Sequence, residues 1–267
     1  MDVTHILIVN AVGVAACFLA LWLISIRLKD VSFVDSWWAI GMVVVAWTTY
    51  LLTGGHGPHA IALLALCTVW GLRLGLHLFS RWRKAGPDHR YVVMLGKAQS
   101  ERGWSFAKAS LMMVFAMQAP LQLIVCLPVQ LGQYAPTTAL GPLAWAGIVL
   151  AVVGIAFESI GDLQLARFRA NPHNRGEVLD TGLWRYTRHP NYFGDACVWW
   201  GLYLIAAETG WIGAASILGP VVITVLLTKL SGVPTLEGPM RRKRPGYEAY
   251  IQRTSSFIPL PPRAPRG

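Results

Sequence analysis

Residues 182–195, GLWRYTRHPNYFGD, place a dense set of polar side chains directly before the apolar run ACVWWGLYLIAA. Pro190 suits the first turn of a helix, so the backbone N–H groups of residues 191–195 would begin that helix. A helix N-terminus beside arginine side chains is a favourable site for a phosphate group. The stretch therefore predicts a nucleotide site, with five candidate residues: Arg185, Arg188, His189, Asn191 and Asp195.

Acidic residues inside another apolar run point to a polar cavity. Glu158 and Asp162 are four residues apart, and Arg169 lies two turns beyond, in a helix that otherwise reads LAWAGIVLAVVGIAF. A charged side chain in hydrocarbon costs about 2.5–3.5 kcal/mol, so such residues turn away from lipid. We expect this charged stripe to face a polar cavity within a helix bundle.

Further ionisable residues lie in or beside apolar runs nearer the N-terminus. Asp35 opens a run directly after KDVSFV. Arg73 and His77 are four residues apart, which places them on one helix face. Two interpretations stay open for Asp35 and Arg73: an interfacial or intra-bundle ion pair, and a functional site.

Common nucleotide and hydrolase motifs are missing from the sequence. No G-x-G-x-x-G follows a strand, and there is no Walker loop, HExxH or GxSxG. A nucleotide must therefore be held by helix ends, arginines and asparagines. The four cysteines lie in apolar runs without metal-ligand spacing, so we expect packing residues and no metal site.

The elements that position these residues are predicted to be membrane helices. The 267-residue chain is 54% hydrophobic and 13% charged, with a mean hydropathy of +0.47, whereas a soluble domain is about a quarter charged. Seven apolar runs approach the length that crosses a hydrocarbon core. The predicted fold class is an all-α membrane protein, a seven-transmembrane-helix bundle in one domain, with these runs: about 5–26, 36–53, 59–80, 109–131, 140–166, 193–208 and 211–230.

The basic residues predict an orientation for this bundle. All of the 23 Lys and Arg except Arg73 lie in alternate loops or at and after the end of the last run, while the loops TGGHGPH, GQYAPTTAL and ETGW carry none. The positive-inside rule then places the N-terminus outside and the C-terminus in the cytoplasm. Topology and anionic lipid account for the net charge of +10, so no nucleic-acid partner is predicted.

Residues 162–201, DLQLARFRANPHNRGEVLDTGLWRYTRHPNYFGDACVWWG, resemble the C-terminal signature of the membrane steroid 5α-reductase family, close to its bacterial branch. KDVSFVDSWWAIG (29–41) and SGVPTLEGPM (231–240) fit the same branch. The resemblance implies a bacterial inner-membrane protein that binds NADPH in a cytoplasm-facing cavity, with a steroid entering from the lipid. Residues 1–108 would form the substrate side and residues 109–267 the NADPH side.

The resemblance also implies cofactor contacts, residue by residue. Asp162 and Arg169 would hold the adenosine phosphate side. Asn191 and Asp195 would hold the nicotinamide side, with Tyr192 packed between them. Lys229 matches a family arginine and would reach a phosphate. The other cofactor candidates are Glu158, Asn174, Arg188, His189 and Glu237.

The expected substrate-polarising pair departs from the family pattern, which has a glutamate opening span 2 and a tyrosine in span 3. Asp35 and Trp70 stand at those positions. A protonated aspartate can hydrogen-bond a steroid 3-ketone, but an indole N–H cannot deliver a proton. Tyr91 and His77 are the candidates for the missing donor, and a different enone substrate is the alternative. The candidate catalytic residues are Asp35, Trp70 and Tyr91, and the substrate contacts are Asp35, Trp38, Trp70 and Arg73.

The function expected from the resemblance is NADPH-dependent reduction of the Δ4 double bond of 3-oxo steroids. Two alternatives remain. The motif RHP-x-Y-x-G and the pair Leu236–Glu237 also suit an S-adenosylmethionine-dependent methyltransferase of lipid or prenyl-cysteine. A transporter or receptor that binds a sterol is the other, but it predicts inverted repeats, and none is visible.

Overall fold

The computed structural model describes residues 2–54, 57–230 and 232–263, so Ser231 of the SGVPTLEGPM stretch and the last four residues lie outside the described residues. Across these ranges the regular structure is helical, and the β-type pairing is one isolated bridge between Thr187 and Ser255. The α-helices are α1 Val3–Leu28, α2 Val34–Thr53, α3 Pro58–Ala85, α4 His89–Arg102, α5 Phe106–Ser110, α6 Ala116–Val125, α7 Leu127–Gly132, α8 Pro142–Ala170, α9 Pro190–Glu208, α10 Trp211–Ala214, α11 Leu218–Val225, α12 Val233–Lys243 and α13 Tyr247–Arg253.

Six stretches of the described chain are long and apolar enough to cross a membrane: Val3–Leu28, Val34–Thr53, Pro58–Ala85, Phe106–Val125, Pro142–Ala170 and Trp211–Lys243. The all-helical membrane fold is therefore confirmed. The predicted run 193–208 forms α9, but α9 is not among the six because polar residues occupy both of its ends. The seventh span and the orientation of the termini stay predictions.

The chain folds as two compact units. Unit 1 comprises Met1–Ala144 and Leu202–Gly219, and unit 2 comprises Trp145–Gly201 and Pro220–Gly267. The predicted substrate and cofactor sides, 1–108 and 109–267, stay predictions.

Close packing of α2 against α3 builds the centre of unit 1. A Cβ atom on Gly71 would lie 2.8 Å from the Ala39 carbonyl oxygen, and one on Gly75 would lie 2.5 Å from the Ile40 side chain. Small residues at helix contacts let backbones approach in a membrane, where burial of apolar surface drives little association. This contact fixes the position of Asp35 at the start of α2.

Buried amide side chains join the other helices of unit 1. Asn10 of α1 donates to Thr49 Oγ1 (2.9 Å) and to Gln130 Oε1 (3.1 Å), and Gln122 donates to the Trp38 carbonyl (2.8 Å). Interhelical hydrogen bonds of this kind stabilise membrane bundles. The last turn of α9 is held in the same unit, because Glu208 accepts hydrogen bonds from the Gly141 and Leu143 N–H groups.

Glycines at seven-residue spacing join α8 and α9 in unit 2. We call this set the glycine seam; its members are Gly147, Gly154, Gly161, Gly194 and Gly201. A Cβ atom on Gly154 would lie 2.5 Å from the Gly194 carbonyl oxygen, and one on Gly201 would lie 2.5 Å from the Gly147 carbonyl oxygen. The two backbones therefore touch, and only glycine fits the contact.

The C-terminal segment of unit 2 pairs with the stretch before α9. The Arg188 N–H donates to the Ser255 carbonyl (2.9 Å), Thr187 Oγ1 donates to the Phe257 carbonyl (2.8 Å), and the Leu260 N–H donates to the Tyr186 carbonyl (3.0 Å). These bonds hold the RHPN residues in place at the entrance to α9.

Candidate active-site residues

Asp35 and Tyr91 meet at one end of unit 1. The Tyr91 hydroxyl donates to Asp35 Oδ1 at 2.6 Å, and Arg90 Nη2 lies 3.3 Å from Asp35 Oδ2. Gln118 Nε2 donates to the Tyr91 oxygen at 3.3 Å. The structure thus brings together two of the three predicted catalytic residues, and the tyrosine that contacts the acid comes from α4.

Local hydrogen bonds explain why α4 begins beside Asp35. Asp88 caps α4 by accepting the Arg90 N–H (2.9 Å), and its own N–H donates to Ser32 Oγ (2.7 Å). Asp30 accepts from the Ser32 hydroxyl (2.7 Å) and from the Trp82 indole N–H (2.7 Å). The short turn before α2 and the end of α3 are therefore tied to the first turn of α4.

Burial and the charge of Asp35 favour the neutral form of the Tyr91 side chain. Burial, reinforced by the negative charge of Asp35, holds the pKa of Tyr91 well above its usual range. Burial alone would raise the pKa of Asp88, but the hydrogen bonds and charge of Arg90 outweigh it and lower that pKa. Tyr91 therefore keeps its proton at physiological pH and can donate it to an oxygen.

Trp70 and Asp35 lie at different levels along the packed helices α2 and α3 of unit 1. Cys67 Sγ approaches the Met42 carbonyl, and Gly71 packs on Ala39, so Trp70 lies at the level of residues 39–43. At 1.5 Å per residue that level is about 9 Å along α2 from Asp35. Trp70 is fully buried there. Its catalytic role stays a prediction.

The other predicted substrate contacts have different surroundings. Trp38 and Arg73 are partly buried, and the Trp38 carbonyl is used by Gln122. His77, which shares a helix face with Arg73, is partly buried as well. Their roles toward a substrate stay predictions.

Asp162 and Asn191 meet at the start of α9 in unit 2. Asn191 Nδ2 donates to Asp162 Oδ1 at 3.2 Å, and Asn191 Oδ1 accepts the Tyr192 N–H at 3.1 Å. A carboxylate at this helix end repels a phosphate but accepts hydrogen bonds from hydroxyl or amide groups. The structure thus joins a residue predicted for the adenosine side to one predicted for the nicotinamide side.

Arg188 forms a buried network that we call the Arg188 clasp, comprising Arg188, His189, Glu237, Ile251 and Thr254. Arg188 Nε donates to Glu237 Oε1 (2.7 Å), and its Nη1 donates to the carbonyls of Ile251 and Thr254. His189 Nε2 lies 3.1 Å from Glu237 Oε1. The Arg188 side chain is only 8% exposed. This geometry suits a group that positions the start of α9.

The remaining cofactor candidates divide by exposure. Glu158 is buried in α8 beside the glycine seam, where a Cβ on Gly194 would meet its backbone N–H. Asn174 donates to the Phe168 carbonyl (3.0 Å), and Tyr192 stacks on His189 with ring centroids 5.3 Å apart. Asp195 is partly buried, whereas Arg169 and Lys229 are exposed.

The glutamines of the fourth apolar run were not predicted as site residues. Gln118 and Gln122 are four residues apart, so both face α2 and α4 from one side of α6. The signal in the sequence is a pair of amide side chains at helical spacing inside an apolar run.

Comparison with known proteins gives the family. A family described as protein of unknown function (DUF1295) matches residues 21–254. The chain belongs to this family. It is a membrane family related to the steroid 5α-reductases. An uncharacterized protein of Schizosaccharomyces pombe is 24% identical over 272 residues, which cover 90% of this chain and 75% of the yeast protein. No solved structure matches the chain at a significant level.

Proposed function

We propose that this protein is an NADPH-dependent reductase of a conjugated enone, with a Δ4-3-oxo steroid as the substrate class to test first. The observation that carries the proposal is the 2.6 Å hydrogen bond between Tyr91 and Asp35, which places a neutral phenol on a carboxylate. Reduction of an enone needs a donor where negative charge develops on oxygen. The relation of the family to steroid 5α-reductases supports the same reaction.

The donors of unit 2 fit NADPH by their chemistry. The exposed cations Arg169 and Lys229 carry the charge that suits phosphates. Arg188 pairs with Glu237. The Asp162–Asn191 pair suits ribose hydroxyls or a carboxamide, because it offers an acceptor beside an amide. NADPH, when bound, supplies the hydride.

Tyr91 and its partners would act on the substrate oxygen. Hydride addition forms a C–H bond at the β-carbon, and the π electrons of the C=C bond move toward the oxygen. The substrate oxygen replaces Asp35 as the acceptor of the Tyr91 hydrogen bond, while Arg90 stays paired with the carboxylate. A proton from water then adds to the α-carbon, so NADPH, one proton and the enone give NADP⁺ and the saturated ketone.

We further propose that the chain crosses a bacterial inner membrane seven times. The N-terminus would lie outside, and the cofactor residues would lie on the cytoplasmic side. The support is the loop charge pattern, in which Lys and Arg occupy alternate loops. In this arrangement a soluble cofactor enters from the cytoplasm and an apolar enone enters from the lipid.

The test is NADPH oxidation by the detergent-purified protein with testosterone or progesterone, with the reduced steroid identified by mass spectrometry. Tyr91→Phe should lower kcat by at least roughly 100-fold, the range of a lost hydrogen-bond donor to a developing oxyanion. Tyr134 is a tyrosine of unit 1 that lies just after α7, and Tyr134→Phe is the matched control, which should retain activity. Equal activity of the two variants contradicts the assigned role of Tyr91.

Cofactor binding separates the reductase from the methyltransferase alternative. Arg169→Ala should weaken NADPH binding at least several-fold, because a charge-assisted phosphate contact is removed. Arg167→Ala, a neighbouring exposed arginine, is the control. S-Adenosylmethionine carries no phosphate, so binding of that cofactor in place of NADPH, insensitive to Arg169→Ala, would support the methyltransferase and exclude the reductase.

A further inference from the structure

We propose that Gln118 is a positioning residue that directs the Tyr91 proton, an inference that rests on the proposed reductase function. Gln118 lies on α6, within the stretch Phe106–Val125, and its side chain reaches the Tyr91 oxygen. The amide NH₂ group has only donors to offer. With the amide donating to its oxygen, the phenol directs its single proton away from Gln118, toward Asp35.

The neighbouring glutamine contacts a different helix. Gln122, one turn along α6, is fully buried and donates to the Trp38 carbonyl at 2.8 Å. A Cβ on Gly41 would lie 2.5 Å from the Gln122 amide, so α2 and α6 already meet there. Gln122 therefore joins α6 to the α2 backbone, whereas Gln118 reaches the Tyr91 side chain of α4.

The other end of the Gln118 amide makes no competing hydrogen bond to the residues that the structure describes. Its carbonyl oxygen is buried and has no hydrogen-bond partner among the described residues, as is also true of Gln122 Oε1. The contact with the Tyr91 oxygen is therefore the side-chain hydrogen bond that Gln118 forms in the described part of the chain.

The Gln118 hydrogen bond determines which acceptor the Tyr91 hydroxyl proton faces. With Gln118 in place, the phenol oxygen already accepts one hydrogen bond, so Tyr91 turns its proton toward the corner that holds Asp35 and Arg90. Without the amide, the phenol can rotate and its oxygen loses stabilisation of partial negative charge. Transfer of the hydrogen bond to a substrate oxygen should slow, while substrate binding through apolar contacts should change little.

The test uses fluorotyrosine incorporated at position 91 and followed by ¹⁹F NMR across pH in the full-length, detergent-solubilised protein. Gln118→Leu should raise the pKa of the labelled phenol, because the amide hydrogen bond lowers that pKa. Gln122→Leu, which removes a buried amide one turn away, is the matched control and should leave the pKa unchanged. Enone reduction by unlabelled Gln118→Leu should show kcat lowered roughly tenfold and KM nearly unchanged.

The NMR titration tests the contact between Gln118 and Tyr91, and the kinetic measurement tests its effect on catalysis. An unchanged phenol pKa in Gln118→Leu, or an equal change in Gln122→Leu, overturns the inference. A raised pKa with wild-type kcat also overturns it, because the contact would then have no effect on catalysis. Absence of enone reduction by the wild-type protein overturns the proposed function instead, and the NMR titration, which needs neither NADPH nor steroid, still decides whether Gln118 controls the Tyr91 proton.

Discussion

Substitution of Gly194 by alanine tests the glycine seam. An alanine Cβ at this position would lie 2.6 Å from both the Gly154 carbonyl oxygen and the Glu158 backbone nitrogen. Ordinary van der Waals contact begins at 3.4 Å, so α8 and α9 would have to separate by about 0.8 Å. Both obstructing atoms belong to a helix backbone, which cannot rotate away as a side chain can.

The expected magnitude combines two opposing effects. Overpacking of a close contact costs about 1–3 kcal/mol. Alanine in place of a helical glycine returns about 0.8–1 kcal/mol of helix propensity. We therefore expect Gly194→Ala to lower the free energy of unfolding by up to about 2 kcal/mol, or several degrees in Tm at about 2–4 °C per kcal/mol.

The assay is thermal unfolding in detergent, followed by circular dichroism, with Gly13→Ala as the matched control. Gly13 lies in α1 and is exposed, and a Cβ atom added to it would have no other atom within 4 Å. Only the propensity gain applies to it, so Gly13→Ala should unfold at or above the wild-type temperature. If Gly194→Ala unfolds together with Gly13→Ala, the direct backbone contact in unit 2 is refuted.

Two further predictions concern charged residues outside the seam. Arg188→Met removes the donor to a nearly buried Glu237 carboxylate and should cost about 3–5 kcal/mol, whereas Arg185→Met, at an exposed site, should stay within about 0.5 kcal/mol; thermal unfolding of the two variants compares them. Arg90 lowers the pKa of Asp88 in the folded protein below its value in the unfolded chain, so the unfolded chain binds a proton first as the pH falls. The stability that this carboxylate contributes is present above the unfolded-state pKa and is lost as the pH falls through the folded-state pKa. Asp88→Asn should flatten the loss in an acid unfolding series, and an unchanged slope would contradict the assignment.

The sequence predicted the helical membrane fold because its signals are local. Hydropathy runs and loop charge can be read within one window of residues, and α1 and α3 extend only a few residues beyond the predicted runs. The run 109–131 differs, since α6 ends at Val125 and α7 begins beside Pro128, which cannot continue the preceding hydrogen-bond ladder. The predicted length was right, but periodicity alone did not locate the break.

The sequence identified the carboxylate residues of the candidate site, but it did not identify which side chains form hydrogen bonds to them. Asp35 and Asp162 were identified because a carboxylate in an apolar run is costly. The contact from Tyr91 depends on the Asp88 cap that begins α4 beside Ser32, which is a tertiary arrangement. Arg188 was expected to bind a phosphate, and its pairing with a glutamate 49 residues away left no signal in the local sequence.

The Arg188 clasp also constrains the order in which the chain can assemble. Arg188 finds its acceptors 49, 63 and 66 residues later, so α9 is synthesised well before the residues that neutralise its polar entrance exist. Until they emerge, the guanidinium has to remain hydrated, because a buried arginine without its partners is costly. Completion of unit 2 is thus a late biogenesis step, in which docking of the C-terminal helices converts a hydrated arginine into a buried one.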